Sequence, residues 1–514
     1  MVEEYTLWRG DAAEIPLEFD VTPGTEFELR PEYGAGLRVE LFWVKPVLAY
    51  VGRGYGKNDD WNKKELKESV PDILYKGEPS FVPDDGRLEL LLHIAAPKHT
   101  IPGSYEITLK LRLGKASLER LILVRVLERV LPQEGFSLEL WQYPYTLNRY
   151  YNSTGFGEQA AEHLRLYRRA GGNILTATIC ENPWNGQTYD PYPSMVKWRR
   201  GKGGGFTFDY TDFDAWVCLA RDCGITGAIK CFSLLPWGDR LRYFDEASGG
   251  EKEISLRVGG KRWREVWTAF LHDFIAHLEE NAWFGRVYIA VDERPANVTR
   301  KALRFLRQFK SSAGERLKIS CAINLKRAGL LPAREADDIS IEQRRVPLEG
   351  SGLKKIIAER RERGQTTTIY TCGGNYPNSF VRSVPEESEW CVWYAFAQGA
   401  DGFLRWALDA WNENPLEDAS YRFWESGDCF LLYPQQLSRR FLLLAQGVRG
   451  VRKARYLLEY GSEETKKSLR ALLANMRRPA GVTNAQGAFQ GDEEGRLIVL
   501  EDLKRLHAAI GFRR

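Results

Sequence analysis

Short runs of alternating apolar and polar residues fill the first quarter of the chain. Examples lie at residues 38–44, 87–93, 104–112 and 121–126. Runs with a period of two residues, bounded by glycine and proline, are typical of strands in an antiparallel sandwich. We therefore predict a β-sandwich accessory domain over residues 1–130.

The pattern changes near Leu131, where short apolar runs begin to alternate with longer amphipathic stretches. The strand-like runs are 136–141, 173–180, 227–235, 286–293, 317–323, 337–342, 366–373 and 402–406. The helical stretches between them are 158–170, 213–223, 263–281, 299–311, 353–363 and 386–398. Strands alternating with helices in this way predict an α/β fold, a (β/α)8 TIM barrel over residues 131–450.

Helical patterns continue beyond the eighth strand-like run. They lie at residues 437–459, 463–477 and 498–509. The first is expected to complete the barrel, and we predict a helical C-terminal extension over residues 451–514.

Aromatic residues and amides follow five of the predicted barrel strands. Because the working site of a TIM barrel lies at the carboxyl ends of its strands, these residues are expected to share one pocket. Aromatic rings stack on the apolar faces of sugars, and amides hydrogen-bond sugar hydroxyls. The predicted substrate-binding residues are Trp141, Tyr143, Trp184, Trp237, Asn375, Tyr376, Trp406 and Trp411.

Two adjacent acids, Asp292 and Glu293, end the fourth predicted strand just before a proline. If both face a partly dry pocket, repulsion and desolvation would keep one protonated and the other ionised, as acid catalysis requires. A structural interpretation is equally open at this point. In it Asp292 caps the following turn and Glu293 pairs with Arg294. Other candidate partners for the acids are Arg149, Arg382 and Arg405.

Composition excludes several other classes of protein. The 514 residues include 73 Lys and Arg against 69 Asp and Glu, so a basic nucleic-acid-binding surface is not expected. The 16 tryptophans fit both a large core and sugar stacking. Eight cysteines occur without a C-x-x-C motif or a histidine at zinc-site spacing, so we predict no metal site and reduced thiols.

The N-terminus lacks the basic and apolar regions of a signal peptide, and the chain has no run of 18 apolar residues. We therefore expect a cytoplasmic protein without a membrane span. The sequence leaves homo-oligomerisation open.

The acid pair and several later motifs together resemble glycoside hydrolase family 123. The motifs are GADGFLRW at 399–406, followed by Trp411, and SGDCFLLYP at 426–434; upstream, TIPGSYEIT at 100–108 resembles the sandwich domain of that family. The family includes β-N-acetylgalactosaminidases. The resemblance thus covers most of the chain, and it implies a carbohydrate substrate and no cofactor.

The resemblance also implies distinct roles for the two acids in a retaining, exo-acting, substrate-assisted reaction. Glu293 would be the general acid and base, and Asp292 would orient the 2-acetamido group of the substrate. The acetamide carbonyl would then attack the anomeric carbon and form an oxazolinium intermediate. Two alternatives remain open: hydrolysis of another β-glycoside, such as a β-N-acetylglucosaminide, and a non-catalytic carbohydrate-binding barrel.

Overall fold

The computed structural model describes residues 3–24, 27–51, 66–76, 86–113, 116–323, 335–349, 351–422, 424–483 and 489–513. The chain forms two compact units. The terminal unit comprises Met1–Phe136, Gly373–Gln398 and Asn414–Arg514, and the central unit comprises Ser137–Cys372 and Gly399–Glu413. The division into three consecutive domains stays a prediction.

The terminal unit begins with strands that form two sheets. The strands are β1 (Glu3–Arg9), β2 (Asp11–Asp20), β3 (Phe27–Tyr33), β4 (Arg38–Tyr50), β5 (Lys67–Lys76), β6 (Arg87–Ala96), β7 (Gly103–Leu113) and β8 (Ala116–Val130). One sheet has the order β1-β8-β7-β3, and the other contains β2-β6-β4-β5. Every pairing is antiparallel except that of β1 with β8. The alternating pattern therefore predicted the N-terminal sheets correctly.

The later part of the terminal unit is mainly helical. Its elements are α8 (Glu386–Ala397), β21 (Leu437–Ser438), α9 (Arg439–Tyr460), α10 (Glu463–Asn475), β22 (Gly481–Thr483), β23 (Phe489–Gly491) and α11 (Glu493–Ala509). Strand β21 pairs with β5 and so extends the second N-terminal sheet. Ser438 caps α9 by accepting a hydrogen bond from the backbone N–H of Phe441.

Buried ion pairs join α9 to the N-terminal strands of the same unit. Arg440 Nε lies 3.0 Å from both carboxylate oxygens of Asp72, and the hydroxyl of Tyr433 donates to Asp72 at 2.7 Å. Lys453 pairs with Asp11 in the same way. Each of these two buried acids therefore has a cation beside it, which offsets the cost of burying its charge.

The central unit contains a parallel sheet of eight strands. Its strands are β9 (Ser137–Leu140), β10 (Leu175–Thr178), β13 (Ile229–Phe232), β16 (Val287–Asp292), β17 (Lys318–Ile323), β18 (Asp338–Glu342), β19 (Thr366–Thr371) and β20 (Gly402–Arg405). Their order is β10-β13-β16-β17-β18-β19-β20-β9, and all pairings are parallel. Each of the eight strand-like runs in the sequence thus supplies one strand.

The two edge strands of this sheet, β9 and β10, are linked by local contacts. An isolated parallel bridge joins Leu138 to Gly172, just before β10. The side chain of Gln142 accepts from the backbone N–H of Thr176 at 2.8 Å and donates to the carbonyl of Ile174 at 3.3 Å.

Seven α-helices accompany the sheet in the described part of the central unit. They are α1 (Pro144–Tyr150), α2 (Glu158–Arg169), α3 (Thr211–Asp222), α4 (Lys261–Glu280), α5 (Ala296–Leu306), α6 (Val346–Glu349) and α7 (Ser351–Glu362). Helix α5 has a buried apolar face formed by Ala302, Leu303, Phe305 and Leu306. Among the helices in the described residues, none has both the length and the hydropathy that a bilayer crossing needs.

A second, smaller sheet of the central unit is absent from the sequence prediction. It consists of β11 (Lys197–Arg200), β12 (Phe206–Asp209), β14 (Arg240–Asp245) and β15 (Gly250–Ser255), in the order β12-β11-β14-β15. Strands β14 and β15 form an antiparallel hairpin in the connection that follows β13. These strands are short and rich in charge, so they lack the apolar runs that identified the larger sheet.

Candidate active site

The acid pair lies where β16 ends. Asp292 is the last residue of the strand, and the backbone of Glu293 turns into the left-handed region with φ +46°. The Glu293 N–H still donates to the carbonyl of Ala322 on β17, at 3.1 Å. A non-glycine residue rarely adopts such a φ, and strain of this kind concentrates at functional sites.

The Asp292 carboxyl is buried, and burial raises its pKa well above the ordinary value. The neighbouring Glu293 raises the pKa further, and the indole of Trp184 opposes the rise. Among the described residues, no Lys, Arg or His stabilises the Asp292 carboxylate. A proton is therefore retained at Asp292 under conditions where an exposed aspartate is ionised.

The Glu293 carboxyl accepts a short hydrogen bond from the hydroxyl of Tyr370, which projects from β19. Burial, and then the charge of Glu293, raises the pKa of Tyr370 well above its ordinary value. The phenol is therefore a stable donor that fixes one oxygen of Glu293. The two adjacent acids therefore have different surroundings: Asp292 has a raised pKa, and Glu293 accepts a hydrogen bond from a phenol.

Trp237 holds the backbone at the end of β16. Its indole N–H donates to the carbonyl of Asp292 at 2.9 Å. Arg294 in turn donates to the carbonyl of Trp237 at 2.9 Å and pairs with Asp239 at 2.6 Å. The loops that follow β13 and β16 are therefore tied together next to the acids.

These contacts bear on the structural interpretation of the acid pair. Helix α5 begins at Ala296 without a side-chain hydrogen bond at its N-cap, so Asp292 does not cap it. Arg294 pairs with Asp239 rather than with Glu293. The other candidate arginines also have partners: Arg149 pairs with Asp190, Arg382 with Glu425, and Arg405 donates to Thr371.

Four of the predicted sugar-binding aromatics form one cluster near Asp292. Trp141 stacks on Trp184 with ring centroids 5.3 Å apart. Tyr143 contacts Trp184 at 5.8 Å and Trp406 at 6.5 Å. Trp141, Tyr143 and Trp184 are largely buried, whereas Trp406, like Trp237, is partly exposed. The carboxyl ends of β9, β10 and β20 thus supply an aromatic wall.

The wall rests on buried polar groups within the same unit. The indole N–H of Trp141 donates to Glu139 at 2.9 Å, and Glu139 pairs with Lys230 at 2.5 Å. Lys230 also pairs with Asp338 at 2.8 Å. Lys230 thus lies between the two acids Glu139 and Asp338. Because each acid has a cation beside it, we do not expect these two acids to act in catalysis.

Trp411 lies deeper in the central unit than the other aromatics. It is fully buried and packs edge-on against Tyr150 and His163, with centroids 5.2 and 5.4 Å apart. Asp409 accepts from His163 Nδ1 and from the backbone N–H of Tyr143, both at 2.8 Å. Asp409 therefore positions the loop that carries Tyr143, a role that the sequence did not indicate.

Asn375 and Tyr376 belong to the terminal unit, and both side chains are buried there. The carbonyl of Tyr376 accepts a hydrogen bond from Arg478 at 3.0 Å. The Tyr376 ring lies so close to Gly491 that a side chain at that glycine would collide with it. A substrate-binding role for Asn375 and Tyr376 stays a prediction, as it does for the other strand-end residues.

Tyr370 was missed because it lies within a strand rather than after one. Its alternation with Ile369 places it on one face of β19, but only the sheet order brings that face toward Glu293. No group of three His, Cys, Asp or Glu side chains suited to a metal ion occurs in the described ranges.

Comparisons with known proteins identify one family, glycoside hydrolase family 123. The model of the glycoside hydrolase 123 catalytic domain matches residues 141–457. The solved structure of a family 123 glycoside hydrolase from Clostridium perfringens, described for glycolipid glycan hydrolysis, superposes with a TM-score of 0.92 and 31% identity. The match covers 99% of this chain and 93% of that chain.

A GH10 xylanase with a bacterial Ig-like domain, from termite gut, gives a TM-score of only 0.36 at 12% identity. The match covers 88% of this chain and 100% of that chain. No curated protein matches the sequence significantly.

Proposed function

Because the chain belongs to glycoside hydrolase family 123, we propose that it is a retaining, exo-acting β-N-acetylgalactosaminidase that uses substrate-assisted catalysis. Glu293 is the general acid and base, and Asp292 orients and stabilises the 2-acetamido group. The observation that carries this proposal is the pair of adjacent acids: Asp292 is buried with no cation beside it among the residues that the structure describes, and Glu293 is held by Tyr370.

Adjacent acids favour substrate assistance over a protein nucleophile. An ordinary retaining glycosidase places its two carboxyl groups about 5–5.5 Å apart on either side of the scissile bond. Here the two acids leave the same strand end and repel each other, since Glu293 contributes to the raised pKa of Asp292. If both acids act from this strand end, the acetamide carbonyl can supply the nucleophile instead.

In the first step, the acetamide N–H donates to Asp292 and favours its ionised form. The proton of the pair then lies on Glu293, which gives it to the leaving glycosidic oxygen. The acetamide oxygen attacks the anomeric carbon as the glycosidic bond breaks, and an oxazolinium forms. Asp292 stabilises the positive charge on the nitrogen.

In the second step, Glu293 removes a proton from water, and the water oxygen attacks the anomeric carbon. The bond to the acetamide oxygen breaks, and the acetamide is restored. Two displacements at one carbon retain the anomeric configuration. The aromatic wall supplies the apolar surface on which the sugar stacks.

Two further inferences accompany this proposal. We infer that the eight-stranded sheet closes into a barrel, since Gln142 hydrogen-bonds Ile174 and Thr176 at its two edges. We also infer a reducing, cytoplasmic location, which fits the buried thiols Cys231 and Cys321. Burial raises the pKa of the Cys321 thiol to about 12, which keeps it unreactive.

The test of the proposal is hydrolysis of a panel of aryl β-glycosides. The panel contains N-acetylgalactosaminide, N-acetylglucosaminide, galactoside and glucoside, each assayed with the unmodified protein, Glu293→Gln and Asp292→Asn. We expect turnover only of 2-acetamido sugars, fastest for N-acetylgalactosaminide, with loss in both variants and inhibition by a thiazoline analogue of the oxazolinium.

Other results would replace the proposal with a stated alternative. Preference for N-acetylglucosaminide would change the sugar but keep the mechanism. Turnover of sugars without an acetamide would exclude substrate assistance. Sugar binding without hydrolysis of any glycoside would indicate a carbohydrate-binding barrel.

A further inference from the structure

Cations concentrate in two segments of the central unit, although the whole chain carries 73 Lys and Arg against 69 Asp and Glu. The segment 294–314 contains α5 and has no acid, but it has six cations: Arg294, Arg300, Lys301, Arg304, Arg307 and Lys310. The segment 257–264 leads into α4 and also has no acid, but it has four cations: Arg257, Lys261, Arg262 and Arg264. The near balance of the whole chain therefore hides a strong local excess of positive charge.

The two segments lie side by side. The rings of Trp263 on α4 and Phe305 on α5 pack against each other with centroids 4.7 Å apart. A Cβ added at Gly259 would lie 3.4 Å from the side chain of Lys301, so Lys301 lies against the loop that precedes α4. The cations of the two segments therefore share one surface.

Six cations around this contact form what we call the cationic face. Two of them flank Gly259 at a distance of two residues, and the other four lie on α5 or at its end. Three arginines of α5 follow one another at spacings of four and three residues, which places them in a row about 10 Å long on one side of the helix. The residues of the face are Arg257, Lys261, Arg300, Lys301, Arg304 and Arg307, of which Arg300 is partly buried and the others are exposed.

Few acids neutralise the cationic face. Glu265 lies 3.9 Å from Lys261, whose side chain is 91% exposed, and Glu335 lies 3.2 Å from Arg307. Among the residues that the structure describes, no carboxylate pairs with the other four cations of the face. By contrast, the two exposed arginines of β14 pair with glutamates at 3.2 and 2.9 Å. The positive charge of the face is therefore largely uncompensated.

This arrangement opposes the stability of the two helices. Like charges three or four residues apart on a helix repel each other, and Arg304 has this spacing from both Arg300 and Arg307. Lys261 begins α4, where the helix dipole favours an acid, yet the first turn of α4 contains none. The cationic face therefore costs stability in the free protein, and a bound anion would offset that cost.

The composition of the face favours an acidic polysaccharide over other polyanions. Guanidinium groups bind oxyanions through paired hydrogen bonds, and a row of them fits a linear chain that carries anionic groups at intervals. Helices that bind membranes add exposed apolar residues, and single-stranded nucleic acids stack on exposed rings. Within α4 and α5, both of which the structure describes completely, no large apolar residue is exposed, and Trp263 and Phe305 are buried in their contact.

We propose that the cationic face binds an acidic polysaccharide, whose carboxylate or sulfate groups pair with Arg300, Lys301 and Arg304. The inference goes beyond the proposed function and does not depend on it, because the face needs no sugar at Asp292 or Glu293. The face would hold the protein on an acidic glycan without involving the acid pair.

The test is calorimetric titration of the unmodified protein with chondroitin sulfate, which carries a carboxylate or a sulfate along its whole length. We expect binding that weakens roughly tenfold or more between about 50 mM and about 200 mM salt, because bound counterions are released from the polyanion. Dextran, a neutral polysaccharide, should not bind. Absence of binding to chondroitin sulfate at the lower salt concentration would overturn the proposal.

The decisive variant is Lys301→Glu with Arg304→Glu, for which we expect the Kd for chondroitin sulfate to rise about tenfold or more. The matched control is Lys467→Glu with Arg470→Glu, an exposed Lys and Arg pair with the same spacing on α10. Both double variants change the net charge equally, and the control should bind like the unmodified protein. Equal weakening in the two double variants would indicate attraction by net charge alone and overturn the proposal.

A stability measurement separates loss of the site from loss of the fold. The new carboxylates of Lys301→Glu with Arg304→Glu lie beside Arg300 and Arg307, so the denaturation temperature should not fall. If this variant does unfold, Lys301→Gln with Arg304→Gln decides the question, because it removes the two charges without adding any. A several-fold rise of its Kd would support the site, and an unchanged Kd would overturn it.

Two further titrations test the identity of the partner. One uses single-stranded DNA with the same number of charges as the chondroitin sulfate, and the other uses vesicles of phosphatidylserine and phosphatidylcholine. Weaker binding of both would support a polysaccharide site. Tighter binding of the DNA or of the vesicles than of chondroitin sulfate would overturn the assignment of the face to an acidic polysaccharide.

Discussion

Two buried acids, one in each compact unit, have opposite surroundings. In the terminal unit, Asp72 is buried against Arg440 and also accepts from Tyr433. In the central unit, Asp292 is buried beside another acid, Glu293, and burial raises its pKa well above the ordinary value. The first acid has a buried cation beside it, whereas the second has a raised pKa that favours the protonated carboxyl.

This difference is the one expected between an acid that stabilises the fold and an acid that takes part in catalysis. An acid with a buried cation contributes to the stability of its unit only while both partners remain. An acid buried beside a like charge costs stability in the free protein, and such a cost is typical of catalytic sites. The adjacency of Asp292 and Glu293 in the sequence therefore did not by itself indicate a catalytic role. The partners of each acid in the structure were needed as well.

The largest expected effect is the loss of catalytic activity in the variant Glu293→Gln. The amide cannot give a proton to the leaving oxygen, so kcat/KM for 4-nitrophenyl N-acetylgalactosaminide should fall by about 10²–10⁴. The loss should be smaller for a 2,4-dinitrophenyl glycoside, whose better leaving group needs less protonation. The control is Glu265→Gln, an exposed residue of α4. Equal losses on the two leaving groups would contradict the role of Glu293 as the acid.

The next largest effect is expected on the stability of the terminal unit. Asp72→Asn leaves the buried Arg440 without its carboxylate, so the free energy of unfolding should fall by about 3–5 kcal/mol. Thermal and urea denaturation at neutral pH would measure the change. Glu501→Gln, which breaks an exposed pair with Arg505, should cost no more than about 1 kcal/mol. A similar small cost for both variants would refute the structural role of Asp72.

Asp292→Asn should have the opposite effect on stability. The raised pKa of Asp292 lets the folded protein keep a proton that the unfolded chain loses above about pH 4, so folding stability falls as pH rises past that point. Removing the carboxyl should therefore stabilise the protein by on the order of 1 kcal/mol at pH 8 and have little effect near pH 4. Denaturation of Asp292→Asn and of Asp72→Asn at both pH values would measure these changes in stability. Destabilisation that grows with pH would contradict the account.

Tyr370→Phe should give the smallest effect, a change in the pH–rate profile. The phenol donates to Glu293 and favours the carboxylate, so its removal should keep Glu293 protonated to higher pH. The basic limb of kcat/KM should therefore move to higher pH. Tyr288→Phe, on β16, is the control. A basic limb that stays in place, or moves to lower pH, would show that Tyr370 does not act on Glu293.

The sequence predicted the eight strands of the large sheet because each is a short apolar run between helical patterns. It did not predict β11, β12, β14 and β15, whose charged residues give no apolar run.

Long-range partners were equally inaccessible from the sequence. Tyr370 is 77 residues from Glu293, and Arg440 is 368 residues from Asp72. No local pattern encodes which strand faces which, so the sequence could identify the acid pair but not the groups that surround each acid.

The most direct measurement of the central claim uses substrates whose acetamide becomes progressively less nucleophilic. These are the 4-nitrophenyl β-N-acetylgalactosaminides with zero, one, two and three fluorine atoms on the acetyl methyl group. If the acetamide oxygen attacks the anomeric carbon, kcat/KM should fall steadily along the series, by about 10² or more in total, because each fluorine withdraws electrons from the attacking oxygen. A kcat/KM that does not change with fluorination would contradict substrate assistance by the Asp292–Glu293 pair.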